Sequence, residues 1–204
     1  MVPRRWSTEC GELIPMEDNA SEAQDEAEAP AESVTPPIAD ALLPLSWLIG
    51  HWTGVGVGGY PSVPEFRFGQ EVVFSHDGRP FLSYHSRSWL LDDDGNQVRP
   101  LGSESGFWRP VPGNKVELLL AHPTGYAEVW EGQVTITGIV DAAITGARAD
   151  LRSDVVARTA TAKEYTAGHR LYGLVDGDLL WTFDMAAVGH PLTSHLSARL
   201  KASR

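Results

Sequence analysis

Histidine supplies most of the side chains in this 204-residue sequence that could do chemistry near neutral pH, because seven histidines stand against a single cysteine, Cys10. One cysteine excludes disulfide frameworks, cysteine-rich zinc sites and iron–sulfur clusters built by one chain. His190 and His195 lie five apart with Pro191 between them and no accompanying glutamate, which fails the helical spacing of a zinc protease. His122 ends the apolar row Val116, Leu118, Leu120, a position that suits a hydrogen-bonded rim residue or a ligand. Met185 ends a similar row, Leu179, Trp181, Phe183, where a thioether serves either as core filler or as a soft ligand. The run Gly54-Val55-Gly56-Val57-Gly58-Gly59 superficially matches a phosphate loop, but it opens no helix and reads instead as close strand packing. His51, His76 and His169 read as solvated, and the direction of His85 is left open.

The elements that must position these groups are strands. Twenty glycines and fourteen prolines argue against a helical bundle. Period-2 segments recur at about 50–58, 65–75, 81–91, 99–110, 115–122, 125–131, 133–138, 155–164, 169–175, 178–187 and 195–201. Asp77-Gly78, Asp94-Gly95, Gly113-Asn114 and Asp176-Gly177 fall between runs, where tight hairpins need them. Sequential hairpins without a long helix predict an all-β fold, an up-and-down antiparallel barrel of about ten strands, like lipocalins and fatty-acid-binding proteins. Ile38 to Leu48 predicts a short helix or 3₁₀ turn before the first strand, interrupted at Pro44, and Trp47 and Trp52 read as core and plug residues. The alternation places Phe66, Phe68, Gln70, Val72 and Phe74 inside. It also places Leu196, Ala198 and Leu200 inside, which leaves His195 on the outer face unless a bulge or the irregular backbone after Pro191 turns it, or the strand starts later.

Charge bounds the partners. Residues 1–40 hold two basic and ten acidic side chains, a net −8, while the rest carries −3 of the total −11. Residues 17–37 are rich in Ala, Glu, Ser and Pro and nearly free of large apolar side chains, so 1–37 is expected to be a disordered acidic tail and 38–204 the folded domain. An acidic tail on a near-neutral domain suits nucleic acid poorly, since affinity there comes from neutralising phosphates. No apolar stretch is long enough to span a bilayer as a helix, and no secretory signal is visible, which points to a cytoplasmic protein.

Three segments carry a resemblance. Gly50-His51-Trp52-Thr53-Gly54-Val55-Gly56, preceded by Leu45-Ser46-Trp47-Leu48-Ile49, resembles the opening strand of the nitrobindins. Ser103-Glu104-Ser105-Gly106-Phe107-Trp108-Arg109-Pro110 is similar to that family's E-S-G-aromatic-aromatic-R-P segment, and Pro191-Leu192-Thr193-Ser194-His195-Leu196 to its P-L-x-x-H-L segment. The resemblance implies a ten-stranded barrel holding ferric haem b, with His195 in the position of the proximal iron ligand. It implies isomerisation of peroxynitrite to nitrate and binding of nitric oxide, with the chemistry supplied by metal and porphyrin. Met185 matches a pocket methionine, Leu101 an apolar contact, and Lys163, in a T-A-K-E stretch, a lysine near the haem edge that can pair with a propionate. His122 matches a distal-side position, and both His122 and Gly102 depart from the residues of the plant pattern. The competing expectation is a non-catalytic barrel that carries an apolar small molecule, such as a fatty acid or a tetrapyrrole. Oligomeric state is not legible at this level.

Overall fold

The computed structural model describes residues 36–203, so the expected acidic tail lies outside the described residues except for Pro36 and Pro37. A 3₁₀ helix, Asp40–Leu48, leads into ten antiparallel strands. These are β1 (Gly50–Tyr60), β2 (Val63–Ser75), β3 (Leu82–Leu91), β4 (Gln97–Val111), β5 (Lys115–His122), β6 (Tyr126–Val140), β7 (Ala143–Arg158), β8 (Tyr165–Val175), β9 (Asp178–Ala187) and β10 (Thr193–Ala202). Each pairs with its neighbours in sequence, and β10 returns to pair with β1, so the barrel is closed and leaves no open edge.

The 3₁₀ helix plugs one end. Leu42, Leu45 and Leu48 are fully buried against the barrel, and the helix packs on β4, β6 and β7. Pro44 lies within it rather than ending it, and its carbonyl accepts the Trp47 indole N–H at 3.0 Å. Trp52 donates its own indole N–H to Leu48 at 2.8 Å, which ties helix to β1. The glycine run of β1 has the expected function: a Cβ on Gly54 would stand 2.2 Å from the carbonyl oxygen of Arg199 on β10, so only glycine lets these strands approach. The inward row of β2 is also as expected, with Phe68, Gln70, Val72 and Phe74 buried.

One hairpin departs from the expectation. The two segments 125–131 and 133–138 are a single strand, β6, and of the segment 155–164 only 155–158 is strand, the end of β7, which begins at Ala143; the rest is the connection to β8. Bulges at Val129/Trp130 and around Gly138 break the alternation along β6. The β6–β7 turn is made by Asp141 and Ala142, both left-handed at φ 49° and 63°, with no glycine to mark it. The four turns expected from their glycines carry them at positive φ, as at Asp176-Gly177 with 53° and 79°.

Because Ala142 is exposed and pays the Cβ penalty of a left-handed backbone, Ala142→Gly should raise stability by about 1 kcal/mol in urea unfolding. A loss of stability would contradict that reading of the turn.

Candidate functional site at the open rim

The barrel end opposite the 3₁₀ plug is built from the end of β1, the start of β10, the end of β9 and the β5–β6 turn. His195 enters it through a bulge: on β9, Asp184 pairs with Ser194 and Phe183 with Leu196, so His195 is the extra residue. The bulge cancels the parity conflict, and His195 and Leu196 both line the same cavity. Nδ1 of His195 lies 2.9 Å from the carbonyl oxygen of Gly59 on β1. A carbonyl only accepts, so Nδ1 carries the proton and Nε2 keeps its lone pair. The ring stands edge-on to Tyr60 and Phe183, with centroids 5.5 and 5.9 Å away. Burial pushes the His195 pKa below the ordinary imidazole value, against the Gly59 bond, and Arg170 adds to the depression, so the imidazole is neutral at neutral pH. Tyr60 holds the rim behind it, donating to the carbonyl of Met185 at 3.0 Å and accepting the N–H of Ala187 at 3.0 Å.

The cavity has a volume of about 190 Å³ and adjoins a hollow of about 500 Å³ with which it shares Ser88, Leu101, Gly102, Ser103 and Thr124. A Cβ on Gly102 would meet only the Ser88 hydroxyl at 3.4 Å, so this wall is open. The inner floor is polar. Arg170 on β8, only 3% exposed, crosses the lumen to Glu104 on β4 with two parallel hydrogen bonds of 2.8 and 2.7 Å. Its guanidinium lies 5.1 Å from the Trp130 ring centre and 4.7 Å from that of Phe183. Tyr84 donates to Glu104 at 2.5 Å. Glu128, 3% exposed, accepts from Trp130 Nε1 at 3.1 Å and lies 2.9 Å from His122 Nε2, while His122 Nδ1 stands 3.7 Å from Glu104. Burial alone would raise the Glu104 pKa, but the charge and hydrogen bonds of Arg170 overcome it and hold the carboxyl at about 2. Glu128 is lowered in the same way, by His122 and Arg170 against its burial.

The structure thus brings His195, His122 and Leu101 to one cavity. Met185 is half-buried at the same rim and packs against the core, outside that lining. Lys163 is exposed on the turn after β7, and its carbonyl accepts the Tyr126 hydroxyl at 2.9 Å. His169 departs from its solvated expectation: it lies inside β8 with a largely buried side chain, 2.9 Å from Asp150 and 3.5 Å from Asp184. His51 pairs with Glu71, His76 accepts the N–H of Gly78, and His85 faces outward against Ser105. Glu104, Glu128 and Arg170 were not singled out by their chemistry. Their signal was parity: Arg170 shares an apolar row with Tyr172 and Leu174, as Glu128 does with Trp130.

A closed antiparallel barrel with a neutral, bulge-borne histidine at its open rim defines a class of small-molecule and cofactor-binding barrels. Residues 41–202 match the family model described as "THAP4-like, heme-binding beta-barrel domain". The chain belongs to this family of haem-binding barrels. It is 52% identical over 175 residues to a "Ferric nitrobindin-like protein" of Kineococcus radiotolerans, covering 78% of this chain and 92% of that one. It is 51% identical over 157 residues to a "Peroxynitrite isomerase" of Nocardioides sp., covering 77% and 90%. The solved structure of Rv2717c from M. tuberculosis superposes with a TM-score of 0.75 at 38% identity, covering 82% of this chain and all of that one.

The ion pair makes two outcomes measurable. Arg170→Met should cost about 3–5 kcal/mol by stranding Glu104, and Glu104→Leu combined with Arg170→Met should cost less than Arg170→Met alone. Glu104 has a folded pKa of about 2, below its ordinary 4.5, so its stabilisation is complete above pH 4.5 and fades as pH falls towards 2. Urea melts across that range should lose stability in the wild type and flatten in the double variant.

Proposed function

We propose that the protein binds ferric haem b at the open rim through Nε2 of His195, isomerises peroxynitrite to nitrate, and binds nitric oxide at the same iron. One observation carries this reading: the bulge turns a single histidine inward, its Nδ1–H donates a hydrogen bond to the Gly59 carbonyl, and Nε2 is left with a free lone pair. The donor set fits haem, since imidazole is a common axial ligand and the porphyrin supplies the remaining nitrogens. Relatives at about half identity that bear the names peroxynitrite isomerase and ferric nitrobindin-like protein support the same reading.

Ferric haem, when bound, supplies a Lewis-acidic iron whose charge favours cleavage of the O–O bond of peroxynitrite. The chain's own residues bind and orient. Gly59 fixes the ring plane of His195, and Tyr60 and Phe183 keep water from its edges. Leu101 and Met185 give apolar contact to the macrocycle, and Lys163, a cation at the same rim, pairs with a propionate. His122, tethered by Glu128, tunes the polarity of the ligand side. Against the fatty-acid carrier, the one cation on the cavity floor, Arg170, is already held by both oxygens of Glu104 and is not free for a fatty-acid carboxylate. Among the described residues no helix is long and apolar enough to cross a membrane. The reading is of a cytoplasmic protein acting on small molecules, with residues 38–204 as the haem barrel and 1–37 as an appendage.

Hemin titration should give a Soret band at one haem per chain, and His195→Ala should weaken hemin binding by at least about 100-fold. An unchanged spectrum and affinity in His195→Ala would reject the ligand, and His190 or His122 would be tested next. Stopped-flow decay with excess peroxynitrite should show multiple turnovers in wild type and Cys10→Ser and none without haem. A thiol is consumed once, so activity lost in Cys10→Ser and kept without haem would refute the isomerase. His122→Gln should change the rate modestly. Deleting 1–37 should leave hemin affinity and melting temperature unchanged, and a fall in either would move the domain boundary.

A further inference from the structure

The five tyrosines differ in what receives the phenolic hydrogen. Tyr60 and Tyr126 donate to main-chain carbonyls, those of Met185 and Lys163. The Tyr172 hydroxyl accepts from the Arg170 guanidinium at 3.2 Å, and the buried Tyr165 hydroxyl lies beside the Glu128 carboxylate without a well-formed hydrogen bond to it. Tyr84 makes the one well-formed phenol–carboxylate hydrogen bond among the described residues, to Glu104 Oε1 at 2.5 Å, an oxygen it shares with Arg170 Nη1 at 2.8 Å. Losing one electron makes a phenol strongly acidic, so oxidation is easiest where a base already holds the hydrogen and hardest where a cation lies over the ring. Among the indoles, Trp130 also donates to a carboxylate, but Arg170 stands over its ring and opposes loss of an electron.

Tyr84 is buried, yet one hydrogen bond separates it from the cavity, because Glu104 lines that cavity. An aromatic row also connects them. Trp181, in the cavity wall, stacks on Tyr172 at 6.2 Å; Tyr172 meets Trp108 at 5.1 Å, Trp108 meets Phe74 at 5.8 Å, and Phe74 meets Tyr84 at 5.1 Å. At rest the proton stays on the phenol, since burial and Glu104 push the Tyr84 pKa well up while Arg170 keeps Glu104 a weak base.

We propose that Tyr84 is a one-electron sink that protects the haem site, an inference that rests on the haem reading above. Given a one-electron oxidant generated in the cavity from hydrogen peroxide or peroxynitrite, Tyr84 reduces it by one electron. The hydroxyl proton moves along the existing hydrogen bond to Glu104 Oε1, leaving a neutral phenoxyl radical and a neutral carboxylic acid. Nitrogen dioxide, itself a radical, then couples with that phenoxyl: a C–N bond forms ortho to the oxygen, and the displaced ring hydrogen returns to the phenolic oxygen, giving 3-nitrotyrosine.

The test is freeze-quench electron paramagnetic resonance of the ferric holoprotein mixed with hydrogen peroxide. A tyrosyl signal is expected that changes its hyperfine pattern with ring-deuterated tyrosine and not with ring-deuterated tryptophan. It should vanish in Tyr84→Phe and persist in Tyr165→Phe and Tyr126→Phe, with the Soret band and hemin affinity of Tyr84→Phe unchanged. Peptide mass spectrometry of wild type after peroxynitrite should place 3-nitrotyrosine on Tyr84 despite its burial, which reads the residue without a substitution if Tyr84→Phe folds poorly. A tryptophanyl signal, a tyrosyl signal that survives in Tyr84→Phe, or nitration confined to Tyr126 would overturn the sink and leave the haem reading intact. A chain that takes up no hemin would overturn both.

Discussion

The rest of the site depends on the Arg170–Glu104 pair. A guanidinium almost without solvent contact cannot exist in a barrel lumen unless a carboxylate meets it with good geometry, and Glu104 does so with both oxygens from the opposite wall. The two residues are 66 positions apart, so the pair fixes how β4 and β8 face each other across the closed barrel. It also fixes what can lie next to it. Trp130 and Phe183 present their faces to the guanidinium, Tyr84 and Tyr172 bring their hydroxyls to the pair, and His122 and Glu128 are drawn to its edge. Two carboxylates and one guanidinium thus set a charged floor beneath a rim cavity whose walls include Phe68, Leu101, Trp181 and Phe183.

A second constraint, independent of the first, is the extra residue at His195. In a regular strand that side chain would share the outer face with Ser197 and Arg199. The bulge gives β10 one residue more than β9 across this stretch, and it turns His195 into the lining of the rim cavity instead of the outer face. There the ring is packed on its edges by Tyr60 and Phe183, and its proton position is set by backbone. A histidine whose tautomer is held by a main-chain carbonyl does not depend on a neighbouring side chain for which nitrogen is free, while burial and Arg170 lower its basicity.

Most of the fold could be read from residues, because tight turns and alternating strands are local. Asp94-Gly95 and Asp176-Gly177 announce themselves, and the inward row of β2 follows from its parity. The β6–β7 hairpin could not, since Asp141 and Ala142 take the left-handed region without glycine and the bulges of β6 erase the period. The site divides in the same way. His122 was visible as the polar end of an apolar row, and the inward turn of His195 was not, because a single-residue bulge has no compositional signature. Arg170 shares its parity with Tyr172 and Leu174 whether β8 begins at 165 or 169, but a charged side chain on an inward row reads against its type until a partner such as Glu104, 66 positions away, is placed beside it.

The two ends of the barrel divide stability and chemistry between them. At the plugged end, Leu42, Leu45, Leu48, Leu118 and Trp108 are fully buried and the indoles of Trp47 and Trp52 cap nearby carbonyls, so apolar burial there does not need to accommodate a site. Among the described residues three buried polar atoms lack a hydrogen-bond partner: Nε1 of Trp108 at the plugged end, and Nε of Arg170 and the hydroxyl of Tyr165 away from it. Unsatisfied groups of this kind destabilise a fold, and Arg170, together with the unpartnered Nε2 of His195, lies in the lining of the rim cavity, a place shaped for something other than stability. The closed ring of hydrogen-bonded strands lets this coexist with a single native state, since neither end can open without breaking ladders that run the length of the other.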